Sequence, residues 1–276
     1  MAYKFAASNI HTIRISLGTG YRVVNLFTED HAALTGARQV IIAEELHPER
    51  SYNGNLNYIL KIPFDAGFLN IDATGFYSYF TNKIVGDFDT DPNKIIYDNL
   101  RGHAISQGIS LNADANFTFP LRVMAGITYM DVYETEEDAR GRQQKKQQLF
   151  APAWSGTFLL SYTLPKGFSV DVTGKYYGPM RLPVQPADYR AAYSPWYCLA
   201  NIQVTWKSKC NMEIYGGVKN ILNYVPHDSP LMRSFDPFDK RANDPVANPN
   251  GYTFDTEYNY APLQGIKGFL GFRYRL

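Results

Sequence analysis

The side chains that most often perform chemistry are few in this sequence and lie far apart. The five histidines are scattered over loops and segment ends, without the spacing of metal ligands, so we predict no metal and no cofactor. His103 and Asp131 are isolated candidates for acid–base chemistry, and no partner is recognisable for either. The sequence therefore predicts no catalytic site.

The best candidate for a binding site is the long segment 220–260. Its Asp-Pro and Asn-Pro steps indicate turns, and loops on a rigid scaffold often carry recognition. Basic and aromatic side chains in this segment are suited to contact a ligand at the mouth of such a scaffold. The predicted ligand contacts are Arg233, Arg241, Tyr252, Phe254 and Tyr258.

The elements that must position this loop are stretches in which apolar and polar residues alternate. Within residues 103–119, Ile109 and Leu111 fall on one face, whereas Ser110 and Asn112 fall on the other. This is the two-residue period of a β-strand with one apolar and one polar face. About ten stretches of the chain share the pattern.

The links between these stretches alternate in length. Short links lie at residues 63–67, 119–121, 164–167 and 207–210. Long links lie at residues 18–50, 84–102, 134–152, 179–195 and 220–260. Transmembrane β-barrels of the bacterial outer membrane have short periplasmic turns and long extracellular loops. We therefore predict an all-β, antiparallel up-and-down transmembrane β-barrel of about ten strands.

Strand length and aromatic content favour a membrane as the solvent of the apolar face. The stretches 51–63, 68–83, 103–119 and 197–207 reach the roughly 9–11 residues with which a tilted strand crosses a bilayer. Aromatic residues make up 15% of the chain, and those near strand ends predict an interfacial girdle. A soluble β-sandwich also alternates, so that alternative stays open. The predicted girdle residues are Tyr77, Tyr79, Phe117, Phe119, Tyr129, Trp154, Tyr176, Tyr177, Trp196, Trp206 and Tyr274.

Composition excludes several classes of protein. No run approaches the roughly 18 consecutive apolar residues of a membrane helix, so a helical membrane protein is excluded. The balance of 27 Lys and Arg against 26 Asp and Glu gives a net charge of +1 without a basic patch, so no nucleic-acid partner is predicted. Cys198 and Cys210 are too few for a disulfide framework and are expected to be unpaired.

The polar sides of the predicted strands carry charges of both signs. In a barrel these side chains face the water-filled interior. Since neither sign dominates, they predict no preference for anionic or cationic cargo. These residues are Arg14, Asp72, Asp114, Asp171, Lys175, Glu213, Lys219, Lys267, Arg273 and Arg275.

The beginning of the sequence raises two expectations. Met1–Ser8 lacks the roughly 7–15 apolar residues of a secretory signal, so the chain is expected to be either an excised or truncated piece of an exported protein or not an outer-membrane protein. The first predicted strand, which contains Ile13 and Leu17, has no earlier strand to pair with. It is expected to leave an open edge unless it meets the last strand.

Four segments, in order, resemble segments of TonB-dependent outer-membrane receptors. Residues 13–29 contain a serine, spaced glycines and a Tyr-Arg pair before a loop, and residues 47–53 contain the Pro-Glu, Ser and Asn pattern. Residues 73–84 end in Asn-Lys-Ile, and residues 217–224 resemble the family's penultimate strand. The chain therefore resembles the C-terminal part of such a receptor.

The last strand resembles the signal that the barrel-assembly machinery recognises. Gly271, Tyr274 and Leu276 occupy its glycine and apolar positions. Two residues depart from the pattern, because Leu276 replaces the usual final aromatic residue and Phe269 replaces a polar one.

The resemblance implies a partial barrel. A complete member has a signal peptide, an energy-coupling box, a globular plug and a barrel of about 22 strands. Residues 1–276 correspond to the C-terminal portion of the barrel domain, with about its last ten strands. The resemblance places the plug and the coupling box outside this sequence. It also implies that in an intact receptor the charged residues on the polar sides of the strands contact the plug and water.

The implied function is that of a fragment of a non-enzymatic receptor in the outer membrane of a Gram-negative bacterium. Such a receptor imports a scarce nutrient, namely an iron–siderophore, a corrinoid or a glycan. The implied partners are outer-membrane lipid, the barrel-assembly machinery, the nutrient ligand and, through the missing plug alone, the TonB energy-coupling complex. A ten-stranded outer-membrane enzyme of omptin-like size and a soluble carbohydrate-binding β protein are the alternatives.

Overall fold

A computed structural model describes residues 1–23, 39–42, 46–87, 94–137, 142–184, 191–208, 210–226, 244–246 and 258–274. Within these ranges the chain forms fifteen strands and one short 3-10 turn, Pro165–Gly167. No helix in the described residues is long and apolar enough to cross a membrane. The strands are β1 (Ala2–Ala6), β2 (His11–Arg22), β3 (Gln39–Ile42), β4 (Glu49–Phe64), β5 (Gly67–Thr81), β6 (Ile84–Asp87), β7 (Lys94–Asn99), β8 (Gly102–Phe117), β9 (Leu121–Glu137), β10 (Gln143–Gln147), β11 (Trp154–Thr163), β12 (Phe168–Tyr177), β13 (Tyr197–Lys207), β14 (Met212–Lys219) and β15 (Lys267–Tyr274).

Twelve strands form one continuous sheet. Eleven of them follow the order β1-β2-β4-β5-β8-β9-β11-β12-β13-β14-β15, and β10 pairs with β9. Each neighbouring pair on this path is antiparallel. Within the described residues, β1 and β15 are the two edges and do not pair, so the sheet is open. The predicted all-β, up-and-down architecture of a partial barrel is confirmed.

The register gives the sheet one polar and one apolar face. On β5 and β8, Asp72 lies opposite Asn112, whereas Ile71 lies opposite Ala113. Because partners in an antiparallel pair share a face, the polar pair lies on one side and the apolar pair on the other. We call the side of Asp72 and Asn112 the inner face, and the other side the outer face.

The outer face is apolar and uncovered. Leu56, Ile109 and Leu270 are 54%, 63% and 83% exposed, and no described segment packs over them as a second layer. In a soluble sandwich, the apolar face of each sheet is buried against the other sheet. The described strands therefore do not form such a sandwich.

Aromatic rings gather at two levels of the outer face. At the short-turn end the ring centroids of Phe64 and Phe117 lie 5.9 Å apart, and at the long-loop end those of Tyr129 and Trp154 lie 4.8 Å apart. Two such levels match the girdles that border the apolar band of a membrane barrel. Tyr177 differs from the prediction, because it lies on the inner face and packs against buried residues.

Strands also occupy the N-terminus and the long links. β1 pairs with β2 over Ala2–Ala6, so the expectation that no strand precedes β2 is wrong. A stretch of five residues is too short to stand out by periodicity. A second sheet in the order β3-β7-β6 forms from the links after β2 and β5, with β3 parallel to β7.

The buried residues lie mainly at the long-loop end of the sheet. Ile95 and Leu182 are the largest fully buried side chains, and both belong to segments that join strands of the main sheet. Leu182 packs with Met180, Tyr197 and Tyr258 in one cluster. Hydrophobic burial therefore holds the loop segments on the strand ends.

Candidate functional site

The inner face lines a cavity of about 530 Å³. Strands β8, β9 and β11–β15 form its wall, and the segment before β15 contributes Gln264. Three lysines, Lys175, Lys219 and Lys267, supply its charged groups. No Asp or Glu lines the cavity among the residues that the structure describes. We refer to Lys175, Lys219 and Lys267 as the cavity lysines.

Strand register places the cavity lysines near the long-loop end. Lys219 on β14 and Lys267 on β15 are direct cross-strand partners. Lys175 on β12 lies opposite Leu199, two residues nearer the loop end than Thr173. The alternation of each strand puts these side chains on its inner face.

Two carboxylates of the inner face are paired with arginines. Arg122 donates from Nη2 to Oδ2 of Asp114 at 2.8 Å and from Nε to Oδ1 at 3.2 Å. Arg273 donates from Nη1 to Oε1 of Glu213 at 3.2 Å. None of the cavity lysines forms an ion pair within the described ranges.

Two further carboxylates accept hydrogen bonds from neutral groups. Asp72 Oδ1 accepts from Asn57 Nδ2 at 2.8 Å and from Thr74 Oγ1 at 3.1 Å. Asp171 Oδ1 accepts from Ser161 Oγ at 2.5 Å. Charges of both signs are present, as the sequence indicates, but the structure separates the cavity lysines from the carboxylates. Folding therefore gives the cavity a positive character that a count of charges did not predict.

Asn220 holds one rim of the cavity in place. Its side chain is buried, and Nδ2 donates to the carbonyls of Tyr224 at 2.7 Å and Gln264 at 3.2 Å. Its Oδ1 accepts from the Tyr224 amide at 3.0 Å, and its own amide donates to Asn201 Oδ1 at 3.0 Å. Asn220 has φ +51°, a left-handed conformation that asparagine tolerates better than most residues. This side chain therefore links the end of β14 to the segment before β15.

A group of tyrosines supports the same rim from the loop side. Tyr197 is buried, and its ring centroid lies 5.0 Å from that of Tyr177 and 4.9 Å from that of Tyr224. Its hydroxyl donates to the carbonyl of Tyr260 at 3.0 Å. Stacked, desolvated rings with satisfied hydroxyls make a rigid support.

Of the predicted ligand contacts, only Tyr258 lies in a described range. It is 2% exposed, and its hydroxyl donates to the carbonyl of Ala191. Its observed contacts therefore hold the loop segments together. Arg233, Arg241, Tyr252 and Phe254 lie outside the described residues.

The predicted assembly signal lies on and beyond β15. Tyr274 is on the outer face and 55% exposed. Gly271 lies on the inner face, where a Cβ atom would clash with the ring of Tyr215. Leu276 is outside the described residues.

The isolated candidates for acid–base chemistry are not brought together. Asp131 forms an ion pair with Lys145 at 2.8 Å, and the His103 ring stacks on Tyr79 with centroids 5.3 Å apart. No group of three or more His, Cys, Asp or Glu side chains in the described part is arranged to hold a metal ion.

The sequence places the cavity lysines on the inner face but does not predict that they come together, and it gives no sign of the role of Asn220. Asn220 closes a recognisable strand motif, but its partner Gln264 is 44 residues away. The pairing of Lys219 with Lys267 likewise spans a long link. Only the three-dimensional register shows these relations.

The sequence matches a family model. Residues 2–221 match the model described as TonB dependent receptor-like, beta-barrel. None of the curated proteins searched matches the chain.

Solved structures share the fold at low sequence identity. The ferric-catecholate import receptor Fiu of E. coli K12 is similar at a TM-score of 0.57 and 14% identity, covering 81% of this chain and 30% of that chain. The copper transporter OprC is similar at a TM-score of 0.61 and 14% identity, covering 82% of this chain and 34% of that chain. A mutant of the ferric enterobactin receptor PfeA from Pseudomonas aeruginosa, solved with enterobactin, has a TM-score of 0.57 and 16% identity, covering 81% and 34%. This chain thus spans about a third of the length of these structures.

Proposed function

Because the chain belongs to the TonB-dependent receptor β-barrel family, we propose that it forms the C-terminal barrel portion of a receptor that imports a scarce nutrient. All of residues 1–276 are assigned to the barrel domain and none to a plug. The observation that carries the proposal is the long antiparallel sheet with an uncovered apolar outer face and a polar inner face. A membrane barrel needs an apolar outer face to contact lipid and a polar inner face to contact water.

The proposed location is the outer membrane of a Gram-negative bacterium. Lipid contacts the outer face, and the barrel-assembly machinery recognises the strand that carries Gly271, Tyr274 and Leu276. The TonB energy-coupling complex acts through the plug of the complete receptor. The chain has no catalytic role in this proposal, and the separate positions of Asp131 and His103 give no support to an omptin-like enzyme.

The proposed cargo is an iron–siderophore, with a corrinoid or a glycan as alternatives. The similar structures include a ferric-catecholate import receptor, an iron transporter and a copper transporter, which supports a metal-bearing nutrient. Arg233, Arg241, Tyr252 and Phe254 are the proposed contacts in the loop between β14 and β15. Tyr258 contributes by holding that loop against the segment at Ala191.

Deletion of the coding region in its host tests this function. We expect the protein to require detergent for extraction and the deletion to abolish energised uptake of one labelled nutrient among a ferric siderophore, cobalamin and an oligosaccharide. Reintroducing the complete gene restores that uptake. Unchanged uptake of all three nutrients, or recovery of the intact protein in the aqueous fraction, contradicts the proposal.

A further inference from the structure

We propose that the cavity lysines form a binding site for a soluble ligand that carries at least two oxyanion groups, such as carboxylates, catecholates or phosphates. The site lies on the inner face of β12–β15, and its role in cargo selection rests on the proposed import function. Three features of the described residues support it: a like-charged pair, the absence of neighbouring acids and the shape of the cavity.

The like-charged pair is the first feature. Lys219 and Lys267 are direct partners on adjacent strands and share the inner face, which puts their Cβ atoms about 5 Å apart. Like charges placed directly opposite each other destabilise a sheet. The Lys219 ammonium lies 5.5 Å from the centre of the Phe269 ring, which offsets only part of this repulsion. A bound anion between the two ammonium groups removes it.

The surroundings of the pair are the second feature. Lys175 lies two strands from Lys219 and two residues nearer the loop end, so the backbones of the two lysines are roughly 12 Å apart. The flexible side chains of both residues can shorten the distance between the ammonium groups. Asn201 and Thr173 continue the row of Lys219 across β13 and β12, and both are neutral. Asp114 and Glu213 of the inner face are engaged elsewhere, in ion pairs with Arg122 and Arg273. Within the described residues, the cavity lysines therefore have no acidic partner to compete with a bound anion.

The shape and position of the cavity favour a soluble ligand. A volume of about 530 Å³ falls within the range of small-molecule sites. The cavity lies at the long-loop end, where Asn220 fixes its rim to Gln264. A ligand that enters from the loop side therefore meets three cationic groups on a preorganised wall.

Citrate binding to the refolded 276-residue chain in a zwitterionic detergent tests the site. We expect citrate to bind and raise the melting temperature of the chain, with binding weakened in roughly 0.5 M NaCl by screening. K219Q/K267Q should weaken binding by about tenfold or more, because charge-assisted hydrogen bonds are lost. K61Q is the matched control, since Lys61 is an exposed inner-face lysine away from the cavity, and it should bind citrate like the wild type.

A second measurement guards against misfolding of the double variant. Lys267→Gln alone should raise the melting temperature of the ligand-free chain, because it removes the repulsion from Lys219. Absence of citrate binding to the folded chain, or equal binding by the wild type and K219Q/K267Q, overturns the proposal. Tighter binding of an acidic Glu-Glu-Asp peptide than of citrate also overturns it and assigns the lysines to a polypeptide. These outcomes are independent of nutrient uptake, so they leave the import function to its own test.

Discussion

On β5, β8 and β9 the inner-face carboxylates Asp72 and Asp114 are engaged by neighbouring side chains, whereas at the loop end of β12, β14 and β15 the inner face carries three lysines that form no ion pair in the described part of the chain. Asp114 and Arg122 form a two-point hydrogen-bonded pair, and Asp72 is held by neutral donors. In the first region the charged side chains therefore stabilise the sheet itself. In the second region the cavity lysines remain able to bind a ligand.

The two regions also differ in their support. The wall near the cavity lysines is backed at the loop end by the stacked rings of Tyr177, Tyr197 and Tyr224 and by the hydrogen bonds of Asn220. The wall of β8 and β9 is held by strand pairing and by polar contacts such as Thr128 with Ser110 at 3.0 Å. A preorganised binding wall requires the more rigid support.

Removing Tyr197 should have the largest effect on this comparison. Tyr197→Ala deletes a buried ring with two stacking partners, so we expect the free energy of unfolding to fall by about 3–4 kcal/mol. Tyr129→Ala, on the exposed outer face beside Trp154, is the control and should cost about 1 kcal/mol. Urea unfolding of the refolded chain measures both, and equal losses would contradict the proposed rigid support.

Removing Asn220 should have the next largest effect. Asn220→Ala removes three hydrogen bonds that a buried side chain makes to the backbone of Tyr224 and Gln264, which should cost about 2–3 kcal/mol and weaken citrate binding. Asn116→Ala, on β8 away from the cavity lysines, is the control, since its side chain makes one hydrogen bond to Asp114. It should cost about 1 kcal/mol and leave citrate binding intact. A smaller loss for Asn220 than for Asn116 would show that the rim does not depend on Asn220.

Removing the acidic partner of Arg122 should give β8 and β9 an unpaired positive charge like those of the cavity lysines. Asp114→Asn removes the partner of a half-exposed arginine, so the free energy of unfolding should fall by less than about 1 kcal/mol. The unpaired guanidinium should then add a second, weaker citrate site. Titration calorimetry should then give more citrate bound per chain than for the wild type. An unchanged stoichiometry would show that the ion pair of Asp114 with Arg122 is not what prevents anion binding on β8 and β9.

Reversing one charge should have the smallest effect on stability. Lys267→Glu converts the repulsive pair into an attractive one, so the free energy of unfolding should rise by about 0.5 kcal/mol. Citrate binding should be lost, because the new carboxylate occupies Lys219. Retention of wild-type citrate affinity would contradict the role of this pair.

The sequence predicts the architecture well because that architecture follows from short-range patterns. Alternation in the stretch around Ile109 and Leu111 fixes which face is apolar, and link lengths fix the up-and-down order. The five-residue β1 and the strands in the long links could not be predicted in this way, because so few residues show no clear alternation of apolar and polar positions.

The binding wall could not be predicted in the same way. Lys219 and Lys267 are placed opposite each other by a register that spans the link between β14 and β15. The neutralisation of Asp114 depends on Arg122 lying across a strand pair, and a charge count does not show it. Tyr177 was predicted in the girdle with Tyr176, but adjacent strand residues point to opposite faces, and Tyr177 points inward.

The most direct test of the account is contact between the outer face and hydrocarbon chains. Leu111 and Asn112 are adjacent on the central strand β8 and lie on opposite faces. Single-tryptophan variants Leu111→Trp and Asn112→Trp, with the native tryptophans changed to Phe, are reconstituted into vesicles whose lipids carry brominated acyl chains. We predict strong quenching of fluorescence for Leu111→Trp and little for Asn112→Trp. Equal quenching of the two variants, or stronger quenching at position 112, would contradict the account.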